Sequence, residues 1–150
     1  MNTVYKGDII TNLKHTYCMD YNWKNRTVLV AEDDEMSFRY IELVLSRRTN
    51  ISIIWAINGQ QAVEYCRLNN HIDLVLMDLQ LPVFDGLEAI RQIRTFKPHL
   101  PIIVQTANAM NEEYEKCFAA GSDGYVTKPI NLVELFSMMD SLMNPVTIHH

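Results

Sequence analysis

The chain is poor in cysteine, in long apolar runs and, over most of its length, in positive charge. Its three cysteines, Cys18, Cys66 and Cys117, are odd in number and far apart, with no C-x-x-C or His-Cys spacing. That pattern argues against a disulfide framework and against a zinc site, and for free thiols partly in a core. No apolar run reaches the roughly 18 residues needed to span a bilayer. The opening stretch, MNTVYKGDIITNLKHTY, lacks the basic-then-apolar order of a secretion signal, so a cytoplasmic location is expected. Net charge is -5; residues 1–26 hold four bases and two acids, which leaves residues 27–150 with nine bases against sixteen acids. A phosphate backbone is repelled by such a body, and no recognition-helix module or zinc finger offsets this, so direct nucleic-acid binding is not expected.

What is present is a regular alternation. The length of 150 residues and 48% hydrophobic content suit one ordinary core and suggest no second domain. After residue 26, short β-branched runs alternate with stretches of helical period. The runs are TVLVA (27–31), ISIIWA (51–56), IDLVLM (72–77), PIIVQ (101–105) and GYVT (124–127). Unbroken apolarity in the first and third implies burial on both faces, as in a parallel sheet covered by helices. Helices are predicted over 36–48, with Phe38, Ile41, Val44 and Leu45 on one stripe, and over 59–68 behind Asn58 as a cap. A third runs from Gly86 to before Pro98 with Leu87, Ile90 and Ile93, and a fourth over 109–120 stops at Gly121. A fifth follows Asn131 and stacks Leu132, Leu135, Phe136, Met139 and Leu142; Met138, Met139 and Met143 are assigned to packing, not to a cofactor. Residues 1–26 show no period, although YCMDYNW is aromatic enough to dock. The terminal His149 and His150 are assigned no metal.

Five βα units fit an open doubly wound sheet, in which ligands bind beyond the carboxyl ends of the strands. At those ends stand Glu32, Asp33 and Asp34 (first run), Asp78 (third), Thr106 (fourth) and Lys128 followed by Pro129 (fifth); the second, expected at the edge, ends only in Ala56, Ile57 and Asn58. Each has a plain structural explanation taken alone. Asp34 can cap a helix, Asp78 can open the turn LQLPVFDG, Thr106 can cap the fourth helix and Lys128 can be a solvated charge. Four strand ends converging on one region is a different matter. Carboxylates gathered from separate strands repel one another unless a cation joins them. Mg2+ suits an all-oxygen site with few protein ligands, and a lysine and a hydroxyl beside it complete a phosphoryl-transfer set.

The motifs LVAEDDEMS, LVLMDLQLPVFDG, PIIVQTANAM and GSDGYVTKPI follow one another in this order. Over residues 27–143 the chain thereby resembles the receiver domain of a two-component response regulator, flavodoxin-like and CheY-like. EDDEMS and QTANAM are similar to receivers of hybrid sensor kinases. The resemblance implies a single (βα)5 domain of strand order 2-1-3-4-5, with residues 1–26 as an extension and 144–150 as a tail. It implies Asp78 as the phosphoacceptor, attacking a phosphohistidine of a sensor histidine kinase or histidine phosphotransfer protein. Asp33 would bind Mg2+ directly, Glu32 mostly through water, and Asp78 and the Gln80 backbone carbonyl would complete the set. Lys128 would pair with the phosphoryl group, its bond to Pro129 being cis; Thr106 would swing toward the phosphoryl oxygens and Tyr125 follow it inward. Gln80 and Asn108 stand where the family tunes phosphoryl lifetime, and Gln105 departs from the usual apolar residue at that strand end. On this reading the chain is a signalling module that catalyses only its own phosphorylation and dephosphorylation. It would switch the face of the fourth helix, fifth strand and fifth helix, through which it could also form a homodimer. No effector follows residue 143, so a stand-alone receiver or a part of a larger hybrid kinase is expected. Two other readings stay open: a pseudo-receiver that never takes phosphate, and a haloacid-dehalogenase-like phosphotransferase. The latter lacks its D-x-D, since the run here is Asp78-Leu79-Gln80, and has no cap domain.

Overall fold

The computed structural model describes residues 21–108 and 110–145. Cys18, the proposed helix start at Ala109, and residues 146–150, with His149 and His150, lie outside them. Five strands, β1 (Thr27–Ala31), β2 (Ser52–Ala56), β3 (Leu74–Asp78), β4 (Ile102–Thr106) and β5 (Gly124–Thr127), form one parallel sheet of order β2-β1-β3-β4-β5. Five helices alternate with them: α1 (Glu35–Arg48), α2 (Gly59–Leu68), α3 (Gly86–Phe96), α4 (Asn111–Ala120) and α5 (Leu132–Met143). This is the doubly wound order expected from the sequence.

The unbroken apolar strands are the central ones. β3 and β4 are buried at every position, whereas β2 at the edge is half exposed. Alternate side chains feed two cores. Leu29, Val75, Met77, Ile102 and Val104 meet α2, α3 and α4 on one face; Val28, Val30, Leu74, Leu76 and Ile103 meet α1 and α5 on the other. Side-chain caps set where four helices begin: Asp34, Asn58, Asp85 and Asn131 each accept from a backbone N–H three residues on. α4 closes at Gly121, whose φ of 116° is a left-handed value that a residue with a Cβ resists.

Residues 21–26 cross the end of the sheet opposite the acidic strand ends. Trp23 is 1% exposed and lies against α5, its ring 5.8 Å from that of Phe136 and its indole N–H donating to Asp140 Oδ1 at 3.1 Å. Its backbone N–H reaches Asn50 Oδ1 at 2.7 Å beyond α1, and Tyr21 stacks on it at 4.8 Å. Arg26 then ties the strap to Asp73 and Asn144. Among the described residues no helix is long and apolar enough to cross a membrane.

Candidate phosphoryl-acceptor site

At the carboxyl edge of the sheet the acidic run divides its tasks. Glu32 continues the β1–β2 pairing by one residue, its N–H donating to the Ala56 carbonyl at 3.0 Å and its carbonyl accepting from the Trp55 indole at 2.8 Å. That pairing drags the Glu32 side chain into the sheet, where it is 1% exposed. Asp33, one residue on, is exposed. Asp34 Oδ2 takes the Ser37 backbone N–H at 2.9 Å and its hydroxyl at 2.6 Å, which lowers the Asp34 pKa and makes it the α1 cap.

Asp78 is the last residue of β3 and is buried. Its Oδ1 accepts from the Gln80 backbone N–H at 2.9 Å and its Oδ2 from Lys128 Nζ at 2.9 Å. The chain returns close over it: a Cβ on Gly86 would fall 2.3 Å from the Asp78 carbonyl oxygen, so only glycine lets α3 start there. Lys128 follows β5, its peptide bond to Pro129 is cis, and its Nζ also lies 3.5 Å from Glu32 Oε2. Gln105, wholly buried, donates to the same Glu32 oxygen at 3.2 Å, while its own Oε1 has no partner among the described residues. The polar residue at that strand end thus faces the buried carboxylate.

Two carboxylates sharing one ammonium leave a deficit of positive charge. Burial, then the charge of Asp78 and a hydrogen bond with it, push the Glu32 carboxyl up to about 7, against the opposing pull of Lys128. Burial opposes the charge on Lys128, but its hydrogen bond and ion pair with Asp78, and then with Glu32, raise its pKa, so it stays protonated. The folded state holds on Glu32 a proton that the unfolded state releases from an ordinary value of 4.5, so metal-free protein should lose stability as pH rises from about 4.5 to 7, then level off. The loss should reach at most roughly 3 kcal/mol. Urea unfolding in EDTA at several pH values measures it, and Glu32→Gln should flatten this component.

Thr106 and Tyr125 do not join that cluster. The Thr106 hydroxyl donates to Glu113 Oε1 of α4 at 2.7 Å, and the Tyr125 hydroxyl donates to the Asn108 carbonyl, its ring edge-on to Tyr114. Glu113 and Trp55 touch the site's residues without any motif announcing them; both lie within regular elements, and only the folded chain brings them near.

Oxygens of Glu32, Asp33 and Asp78 all come within 4.8 Å of one another, a donor set that fits a hard divalent cation. Fold and site together define a CheY-like α/β protein with an acidic cluster at its strand ends. Residues 28–140 match the response regulator receiver domain, and the chain belongs to that family. It is 38% identical over 122 residues to Hybrid signal transduction histidine kinase I of Dictyostelium discoideum, across 76% of this chain and 7% of that protein's length. A receiver domain of a Pseudomonas aeruginosa sensor histidine kinase, solved with a magnesium ion coordinated in its active-site cleft, has a TM-score of 0.72 and 32% identity, covering 79% of this chain and 97% of that one. The receiver domain of a Saccharomyces cerevisiae response regulator, solved with a histidine phosphotransfer signalling protein, has a TM-score of 0.73 and 31% identity, covering 79% and 88%.

Proposed function

We propose that the chain accepts a phosphoryl group on Asp78 from a phosphohistidine, on a sensor histidine kinase or a histidine phosphotransfer protein, in a Mg2+-dependent phosphorelay. The observation that carries this reading is the Lys128 ammonium 2.9 Å from Asp78 Oδ2, with the Glu32 and Asp33 carboxylates beside it. An oxygen of Asp78 attacks phosphorus, the P–N bond breaks, and its electron pair returns to the imidazole nitrogen. With a proton carried throughout on the ring's other nitrogen, the products are an acyl phosphate and neutral imidazole. Lys128, held protonated, shifts from the carboxylate to a phosphoryl oxygen. Asp33, Glu32, Asp78 and the Gln80 carbonyl would hold Mg2+, which when bound offsets the charge among the carboxylates and the phosphoryl oxygens. Thr106 supplies a hydroxyl to the phosphoryl group and Tyr125 follows it, while Gln80 and Asn108 at the rim tune the product's lifetime.

A histidine-bearing partner would approach over α1, where exposed Met36 and Tyr40 with Pro129 and Ile130 line a groove of about 390 Å³ that reaches Lys128. Exposed Tyr114 and Phe118 on α4 and Val133 on α5 support the α4–β5–α5 face as the output surface and as a homodimer contact. Such donors act in the cytoplasm, the location we assign.

The division of the acidic run gives the test. Asp33→Ala should weaken Mg2+ binding by at least about tenfold in a calorimetric titration, and Asp34→Ala should change it little. Labelling of Asp33→Ala by phosphoramidate should be slow at low Mg2+ and recover at high Mg2+. Equal losses of Mg2+ affinity in the two variants would contradict the assignment.

A further inference from the structure

α4 starts without the side-chain cap that the other four helices have. Met110 occupies the cap position and makes no such bond, and Glu113, one of two acids in the first turn, reaches backward instead. Glu113 Oε1 accepts from Thr106 Oγ1 at 2.7 Å, and its Oε2 accepts from Asn108 Nδ2 at 2.7 Å. Thr106 Oγ1 in turn accepts from the Asn108 backbone N–H at 3.1 Å, and Asn108's carbonyl takes the Tyr125 hydroxyl. The Thr106 hydroxyl proton is therefore committed to a carboxylate on α4, and a lone pair to the loop between β4 and α4.

We infer that Glu113 is a positioning residue that clasps Thr106 in its outward arrangement and so opposes occupation of Asp78 by a phosphoryl group. The inference rests on the reading of Asp78 as phosphoacceptor. Hydrogen bonds to an ionised acceptor are stronger than neutral ones, so the clasp has to be broken before Thr106 can serve a phosphoryl oxygen. The same loop carries Asn108 and, through its carbonyl, Tyr125, so one carboxylate restrains the whole switching set. Coupling of this kind is reciprocal: whatever releases Thr106 must tighten the site for a phosphoryl-like ligand by the same factor.

Beryllofluoride, a stable phosphoryl mimic, makes that an equilibrium measurement. With Mg2+ saturating, Glu113→Ala should bind beryllofluoride about tenfold more tightly than the parent, the factor by which loss of one charge-assisted hydrogen bond moves a two-state equilibrium. In a Thr106→Val background the same substitution should change affinity less than about twofold. In free Glu113→Ala, the Thr106 methyl resonance should move toward its position in the beryllofluoride complex of the parent. An unchanged affinity, a gain that persists without the threonine hydroxyl, or an unmoved methyl resonance would overturn the clasp. Failure of the parent itself to bind beryllofluoride would instead overturn the phosphoacceptor reading.

Discussion

Trp23→Ala is expected to lower the unfolding free energy by about 3–5 kcal/mol, although the residue precedes the first strand. The ring is 1% exposed, stacks on Tyr21, lies tilted against Phe136, and plugs the end of the core shared by α1 and α5. Alanine would leave a cavity there and also lose the indole bond to Asp140. Against the 5–15 kcal/mol by which domains are usually stable, such a loss is a large fraction. Urea unfolding followed by circular dichroism measures it. A companion variant, Asp140→Ala, keeps the ring and removes the carboxylate that accepts from the indole and from exposed Asn144 Nδ2, and should cost about 1 kcal/mol. The chain has two tryptophans, so in Trp55→Phe protein the fluorescence of Trp23 alone should be blue-shifted and should redden in the same transition as the backbone signal. A Trp23→Ala loss below about 1 kcal/mol would show that the strap is not part of the folded core.

This strap was the least legible part of the chain. β-branched runs and capping residues reveal themselves locally, so the strands and the starts of α1 and α2 follow from residues a few positions apart, whereas the strand order was expected from the family resemblance. Trp23 has no such periodic company; its partners Asn50, Phe136 and Asp140 are far away in sequence and become neighbours only when α1 and α5 cover one face. The acidic run was more readable, because the resemblance places Glu32 and Asp33 in the crevice and leaves Asp34, a good cap residue one place on, to start the helix, where it accepts the Ser37 N–H. Gln105 looked out of place as a polar residue ending a buried strand. The fold gives it a reason, since its amide points at the one carboxylate that β1 carries fully inside. Glu113 could not be anticipated: an acid in the first turn of a helix is ordinary, favoured there by the positive end of the dipole, and nothing local says that it turns back to Thr106.

Asp78→Asn is expected to abolish phosphoryl uptake completely. Asparagine keeps the shape and an oxygen for the Gln80 N–H, yet has no anionic nucleophile. It also removes the charge that helps push the Glu32 carboxyl up to about 7, so the variant should be folded and at least as stable as the parent near neutral pH. Intact-mass measurement after incubation with Mg2+ and acetyl phosphate is the direct observation. The parent should gain the mass of one phosphoryl group, lose it again on standing, and gain none in EDTA, while folded Asp78→Asn should gain none under any of these conditions. An adduct that persists in Asp78→Asn, or a parent protein that takes no phosphoryl group from small donors or from a phosphohistidine protein, would rule out Asp78 as the phosphoacceptor.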